Sequence, residues 1–173
     1  MDGRGSRGFT LMEVLAVIAI LGIIGTIAVV SYAKSIERTK LRAAIETLAA
    51  DIRQARWMAR AGAKTCLIQF FPKDQTYLIS GKEQVQLPDG IRFGAAPGVS
   101  GKPAQPYEAP PADGVSFDCG SSKNLARFYP TGTVAPTGSV YLTDDTDTMA
   151  VTVAITGRPK IWRFVGGKKW IAQ

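Results

Sequence analysis

The sequence contains no histidine, only two cysteines, and charged side chains at only 20% of its 173 positions. Without imidazole there is no Ser-His-Asp or Cys-His catalytic centre, and two cysteines alone cannot complete a zinc site. No nucleophile and base occur at a recognisable spacing either. The chain is therefore predicted not to be an enzyme and to need neither a metal nor another cofactor.

What the sequence does have is apolar surface and an excess of basic residues. Apolar residues make up 46% of the chain, which excludes an intrinsically disordered protein, because such chains cannot offset their conformational entropy. The length fits one ordinary domain plus an accessory element. The formal charge of +7 favours contact with an anionic surface, either nucleic acid or phospholipid head groups, without choosing between them.

The longest uncharged run extends over residues 14–33 and reads VLAVIAILGIIGTIAVVSYA. As a helix it would be about 30 Å long, the thickness of the apolar core of a bilayer. A helix that is apolar on every face would have to be surrounded by protein to serve as a core helix, and a domain of this size cannot surround it. The run therefore predicts a transmembrane helix.

The residues before this run carry a second pattern. Gly8-Phe9-Thr10-Leu11-Met12-Glu13, together with the apolar run, closely resembles the class III signal of type IV prepilins and pseudopilins. The resemblance implies that prepilin peptidase removes a leader, residues 1–8, by cutting between Gly8 and Phe9, and that Phe9 is then N-methylated. It also implies a transmembrane helix at 9–33 in a single-pass protein of the inner membrane, with a periplasmic C-terminal domain that later enters a pseudopilus or pilus.

Glu13 is unusual on physical grounds, because it lies just inside an apolar helix. A carboxylate at the bilayer centre costs about 2.5 to 3.5 kcal/mol, and less near the boundary. Such a group needs a partner, and the resemblance assigns it the ammonium group of Phe9, on the same chain or on a neighbouring subunit during assembly. The alternative is an acidic side chain that reaches interfacial water.

After the apolar run, residues 34–62 change to an amphipathic pattern. Apolar residues at spacings of three and four predict a helical stripe that packs on a soluble domain, and the basic side chains opposite are interpreted as a solvated face. One continuous helix is expected from about residue 10 to residue 61. The stripe consists of Leu41, Ile45, Leu48, Ile52, Ala55 and Ala59, and the basic side chains opposite are Lys40, Arg53, Arg56 and Arg60.

Residues 63–173 contain short β-rich runs separated by turn residues. Strands at this spacing predict an α+β fold, in which the long N-terminal helix packs on an antiparallel, β-sandwich-like C-terminal domain. Residues 94–114 hold five of the ten prolines and four glycines, which predicts a long surface loop. The β-rich runs are TCLIQFF, QTYLIS, VQLP, GIRF, GVSFDC, LARFYP, GSVYLT, MAVTVAIT and KIWRFV.

The soluble part also resembles a known group. RAAIETLAADIRQARWMA, ARFYPTGTV and VTVAITGRPKIWRF are similar to segments of the GspH/FimT group of minor pseudopilins. The resemblance implies a structural subunit near the tip of a type II secretion pseudopilus, with other pseudopilins or pilins as partners. It leaves open a minor type IV pilin of the FimT type that binds DNA during natural transformation.

Cys66 and Cys119 both lie on predicted strands in the part of the chain expected to face an oxidising compartment. Two cysteines in such a compartment tend to pair, so a disulfide between them is a candidate. Two buried free thiols are the alternative.

The last 18 residues combine basic and aromatic side chains without any acidic residue. This combination suits single-stranded or backbone binding of nucleic acid. DNA-uptake members of the same group carry a Gly-Arg-x-Arg motif here, and Lys160 replaces its second arginine, which removes the bidentate fork. The alternative is a basic edge strand that resists aggregation. The candidate DNA-binding residues are Gly157, Arg158, Lys160, Arg163, Lys168 and Lys169.

Overall fold

The fold comes from a computed structural model that describes residues 11–104, 107–118 and 123–173. For residues 25–37 only the backbone is described. The chain divides into two units, Met1–Ile36 and Glu37–Gln173.

Helix α1 extends over Leu11–Ala61 without interruption. It ends where the amphipathic pattern ends, as predicted, and the amide of Gly62 donates to the carbonyl of Met58 at 2.9 Å beyond the last turn. Every residue of the predicted apolar stripe is at most 1% exposed, and Ala44 and Ala49 extend the stripe. The spacing of three and four therefore identified the packed face of the helix correctly.

The described residues contain ten strands, which form two antiparallel five-stranded sheets. The first sheet has the order β3-β2-β1-β5-β6 and the second has the order β10-β9-β8-β7-β4. This confirms the predicted α+β fold. The strands are β1 Cys66–Phe71, β2 Thr76–Ile79, β3 Gln84–Gln86, β4 Arg92–Phe93, β5 Leu125–Phe128, β6 Val134–Ala135, β7 Gly138–Thr143, β8 Thr148–Val153, β9 Pro159–Phe164 and β10 Trp170–Ala172.

The main core lies between the apolar stripe of α1 and the two sheets. Strand β1 alternates between buried and half-buried residues, which is the pattern of a strand covered on one face. By contrast, β7 and β8 are buried at every position. Both faces of the second sheet are therefore covered at its centre.

The segment 94–114, predicted to be a plain surface loop, provides part of this second cover. Tyr141, Ala150 and Trp170 form a small core with Val99 packed against it. The hydroxyl of Tyr141 also donates to the carbonyl of Glu108 at 2.6 Å. The segment contains no strand among its described residues, but it packs over the second sheet.

One sequence-based strand assignment is wrong, and two strands were missed. GVSFDC forms no strand in its described part, and Val115 makes only an isolated bridge to Val140. Strands β6 and β10 were not predicted, because two or three residues are too short to show alternation. Each of the other eight β-rich runs overlaps a strand.

Candidate interaction surfaces

Of the N-terminal motif, Gly8 and Phe9 lie outside the described residues, and Glu13 lies inside them. Glu13 occupies the first turn of α1 and is exposed. A carboxylate at this end of a helix is stabilised by the helix dipole. The predicted pairing with the ammonium group of Phe9 stays a prediction.

The first turns of α1 present an apolar surface on all sides. Its large apolar side chains are each at least 48% exposed, a degree of exposure that marks a surface made for an apolar environment or a partner. They are Leu11, Met12, Val14, Leu15, Val17, Ile18, Ile20, Leu21, Ile23 and Ile24.

Within the part of the chain that the structure describes, no helix is long and apolar enough to cross a membrane. The transmembrane segment was predicted at residues 14–33. For residues 25–33 of that segment the structure describes the backbone only.

The basic residues of the C-terminal tail are all exposed, but they do not converge. Lys160 lies 4.6 Å from the ring centroid of Trp162, on the outer face of β9. Arg163 is an odd number of residues from Lys160 and so projects from the opposite face. Lys168 and Lys169 lie in the turn after β9, whereas Arg158 precedes that strand. The six residues of β9 separate them by about 20 Å.

Gly157, the first residue of the predicted DNA-binding motif, is buried and serves packing. It adopts a φ of +69°, and a Cβ at this position would lie 2.6 Å from the carbonyl oxygen of Gly132 and 2.9 Å from Cδ of Arg56. Nε of Arg56 donates to the same carbonyl oxygen at 2.9 Å. The turn after β5 and the turn after β8 therefore meet the helix at Arg56.

The basic face of α1 includes an open cleft. Arg53, Arg56, Trp57, Arg60 and Ala61 line an open cleft of about 440 Å³ on its last two turns. Trp57 is 67% exposed, which is unusual for so large an aromatic side chain. Sequence reasoning missed this cleft, although an arginine on either side of a tryptophan at helical spacing was visible in RQARWMAR.

Cys66 is a free thiol in the structure, and it is 4% exposed. Burial raises the pKa of this thiol, and the nearby charge of Lys82 lowers it by less. The candidate disulfide between Cys66 and Cys119 stays a prediction. Cys119 lies outside the described residues.

Two buried tyrosines join the layers of the unit Glu37–Gln173. The hydroxyl of Tyr77 on β2 donates to Asp51 on α1 at 2.5 Å, and burial raises the pKa of that tyrosine well above its usual range. Burial likewise raises the pKa of Tyr141 to about 12, with a smaller contribution from the charge of Glu108. Both groups are therefore neutral hydrogen-bond donors at physiological pH.

The described residues contain no group of three or more acidic or cysteine side chains placed to hold a metal ion. The most acidic turn, between β7 and β8, is instead paired with arginine. Arg38 lies 3.0 Å from Asp147, and Arg92 pairs with Asp145.

Comparison with known protein families agrees with this architecture. Residues 3–29 match the prokaryotic N-terminal methylation motif, and residues 44–157, more than half of the chain, match the type II transport protein GspH. The protein is therefore a pilin-like pseudopilin of the type that carries an N-terminal methylation motif. Within that class, the chain belongs to the GspH family. No curated protein and no solved structure gives a significant match.

The family assignment supports three general statements about function. GspH-family pseudopilins are structural proteins, which agrees with the prediction that the chain is not an enzyme. A methylation motif of this type implies a membrane-anchored pseudopilin. Membership of a pilin-like family implies assembly with other pseudopilins or pilins.

Proposed function

We propose that the protein is a minor pseudopilin, a structural subunit of a type II secretion pseudopilus, processed by prepilin peptidase. The observation that carries this proposal is the methylation motif at residues 3–29, within which the helix exposes its large apolar side chains from Leu11 to Ile24. Such a surface needs lipid before assembly and neighbouring subunits after it. A position near the tip of the filament is the one that the resemblance to minor pseudopilins implies.

The proposed membrane arrangement follows the same motif. The mature chain would begin at Phe9, cross the inner membrane once through residues 9–33, and carry the unit Glu37–Gln173 in the periplasm. The unit Glu37–Gln173 has its own core, so it needs no further part of the chain to bury its apolar residues.

We propose that Glu13 promotes incorporation of the chain into the filament. Its carboxylate lies in the first turn of α1, among apolar side chains. In an apolar environment an opposite charge stabilises a carboxylate, so the ammonium group of the methylated Phe9 terminus would stabilise the subunit where the two groups meet.

The test of this function is the processing of the chain in its native membrane. Mass spectrometry of the mature protein should show an N-methylated terminus at Phe9, and Gly8→Ala should accumulate uncut precursor. Gly22→Ala is the matched control, because a Cβ at Gly22 meets no atom within 4 Å. A mature protein that retains Met1 would contradict the proposed function.

DNA binding is the second candidate function, and the exposure of all five basic residues in the tail favours it. The full chain in detergent should then shift single-stranded DNA in a gel, with an affinity that falls steeply as salt rises. Arg158→Ala and Lys160→Ala should each weaken binding and reduce the salt slope by about one phosphate contact. Lys73→Ala, at an exposed turn lysine, is the control. A chain that leaves DNA unshifted at low salt would eliminate this candidate.

A further inference from the structure

The cleft on the last two turns of α1 has the composition of a binding surface. It combines one exposed tryptophan, Trp57, with the side chains of Arg53, Arg56 and Arg60. Tryptophan and arginine are the residues that most often dominate the binding energy of protein interfaces, whereas lysine is depleted there. Among the described residues that line the cleft there is no lysine.

The charge of this surface is not compensated within the described residues. None of its three arginines forms a salt bridge there. Arg56 and Arg60 are four residues apart on the helix, a spacing at which like charges destabilise a helix. An anionic partner would remove this repulsion, and arginine can bind a carboxylate through two parallel hydrogen bonds.

The surface is also partly fixed in advance. Nε of Arg56 donates to the carbonyl oxygen of Gly132, and Cδ of Arg60 lies close beside the same glycine. Side chains that are already ordered lose less entropy on binding. One side of the cleft, at Arg56, is therefore already ordered in the free chain.

We propose that this cleft binds an acidic segment of a neighbouring subunit in the filament, with Trp57 as the apolar anchor and Arg53 and Arg60 as the partners of carboxylates. The proposal rests on the proposed function as a pseudopilin. Residues 53–61 span only about 12 Å of helix, and they offer one aromatic ring. A nucleic-acid strand needs a longer basic track and several rings to stack its bases, so a protein segment fits this surface better.

The test is photo-cross-linking within the assembled filament, using the full chain in cells that build it. Ala61 lines the cleft and is exposed, so p-benzoylphenylalanine in its place reports on whatever occupies the cleft. Irradiation should join the chain to another filament subunit, and the cross-linked peptide should contain aspartate or glutamate.

Two variants test the roles of the side chains. Combining Arg53→Glu with Arg60→Glu, and separately changing Trp57→Ser, should each lower the cross-link yield at least tenfold. Lys73→Glu makes the same kind of charge change at an exposed turn, and it should leave the yield unchanged. The thermal unfolding of each variant checks that the unit Glu37–Gln173 remains folded.

The outcomes separate this proposal from the proposed function. If the wild-type chain enters the filament and the cross-link persists in both variants, the cleft proposal is wrong and the function stands. A cross-link to nucleic acid in place of a subunit would likewise overturn the cleft proposal. A wild-type chain that never enters the filament would refute both.

Discussion

Gly157→Ala is the most direct test of how the unit Glu37–Gln173 is held together. Gly157 was a candidate DNA contact on sequence grounds, but the structure places it in the contact between two turns and α1. A methyl group there would approach the carbonyl oxygen of Gly132 to 2.6 Å and Cδ of Arg56 to 2.9 Å. Neither atom can move freely, because Arg56 and Gly132 are themselves hydrogen-bonded.

The expected loss of stability has two parts. At a φ of +69° a residue with a Cβ costs about 1 to 2 kcal/mol relative to its usual conformation. Forcing an extra methyl group into a packed site costs about 1 to 3 kcal/mol more. Gly157→Ala should therefore lower the free energy of unfolding by about 2 to 5 kcal/mol, which corresponds to a fall in Tm of about 5 to 15 °C.

Urea unfolding of the full chain in detergent, followed by circular dichroism, measures this loss. The matched control is Gly166→Ala, because Gly166 also has a positive φ, +94°, but a Cβ there meets nothing within 4 Å. The control should lose only the backbone part, about 1 to 2 kcal/mol. Equal losses in the two variants would refute the packing role of Gly157.

Three further outcomes are expected. Glu13→Val should insert into the membrane normally but enter the filament poorly, as measured by fractionation of assembled pili, and normal entry would reject the pairing with Phe9. Cys66, in a Cys119→Ser chain, should react with a thiol reagent only after unfolding, because it is buried and its pKa is raised; a wild-type chain with no reactive thiol in urea would instead establish the disulfide. The folded state raises the pKa of Tyr141 from 10.0 to about 12. The stability that this tyrosine contributes should therefore be fully present below pH 10 and decline as the pH rises towards 12. Tyr141→Phe should make this decline, measured as the urea midpoint of unfolding, shallower.

The packed face of α1 could be predicted from the sequence because its periodicity is long and regular. The apolar positions from Leu41 to Ala59 keep the spacing of three and four over five turns, so only one face could be buried. Most strands were predictable for the same reason, since alternation and turn residues mark them. Strands β6 and β10 carry too few residues for a period to show.

The cover of the second sheet could not be predicted, because it depends on contacts between distant parts of the chain. The cleft on α1 lies within one helical segment, and only the fixing of Arg56 depends on a distant contact. Val99 and Glu108 lie in a segment rich in proline and glycine, which has no periodicity to indicate that it packs on Tyr141. On α1, Arg53, Arg56 and Arg60 are all arginines at helical spacing, so the sequence gives no signal that separates Arg56 from the other two. Only the carbonyl of Gly132, 76 residues away, distinguishes its role from theirs.

The position of Arg56 also bears on what the family resemblance means. Two of the segments that resemble the GspH/FimT group, ARFYPTGTV and VTVAITGRPKIWRF, contain Gly132 and Gly157. In the structure both glycines take positive φ values and contact the same arginine, while the amide of Val134 donates to the carbonyl of Ile155 at 3.0 Å. These segments therefore join the two sheets to the helix. A resemblance in these segments therefore indicates shared packing between the sheets and the helix. A DNA contact would involve the exposed side chains that follow, beginning at Arg158.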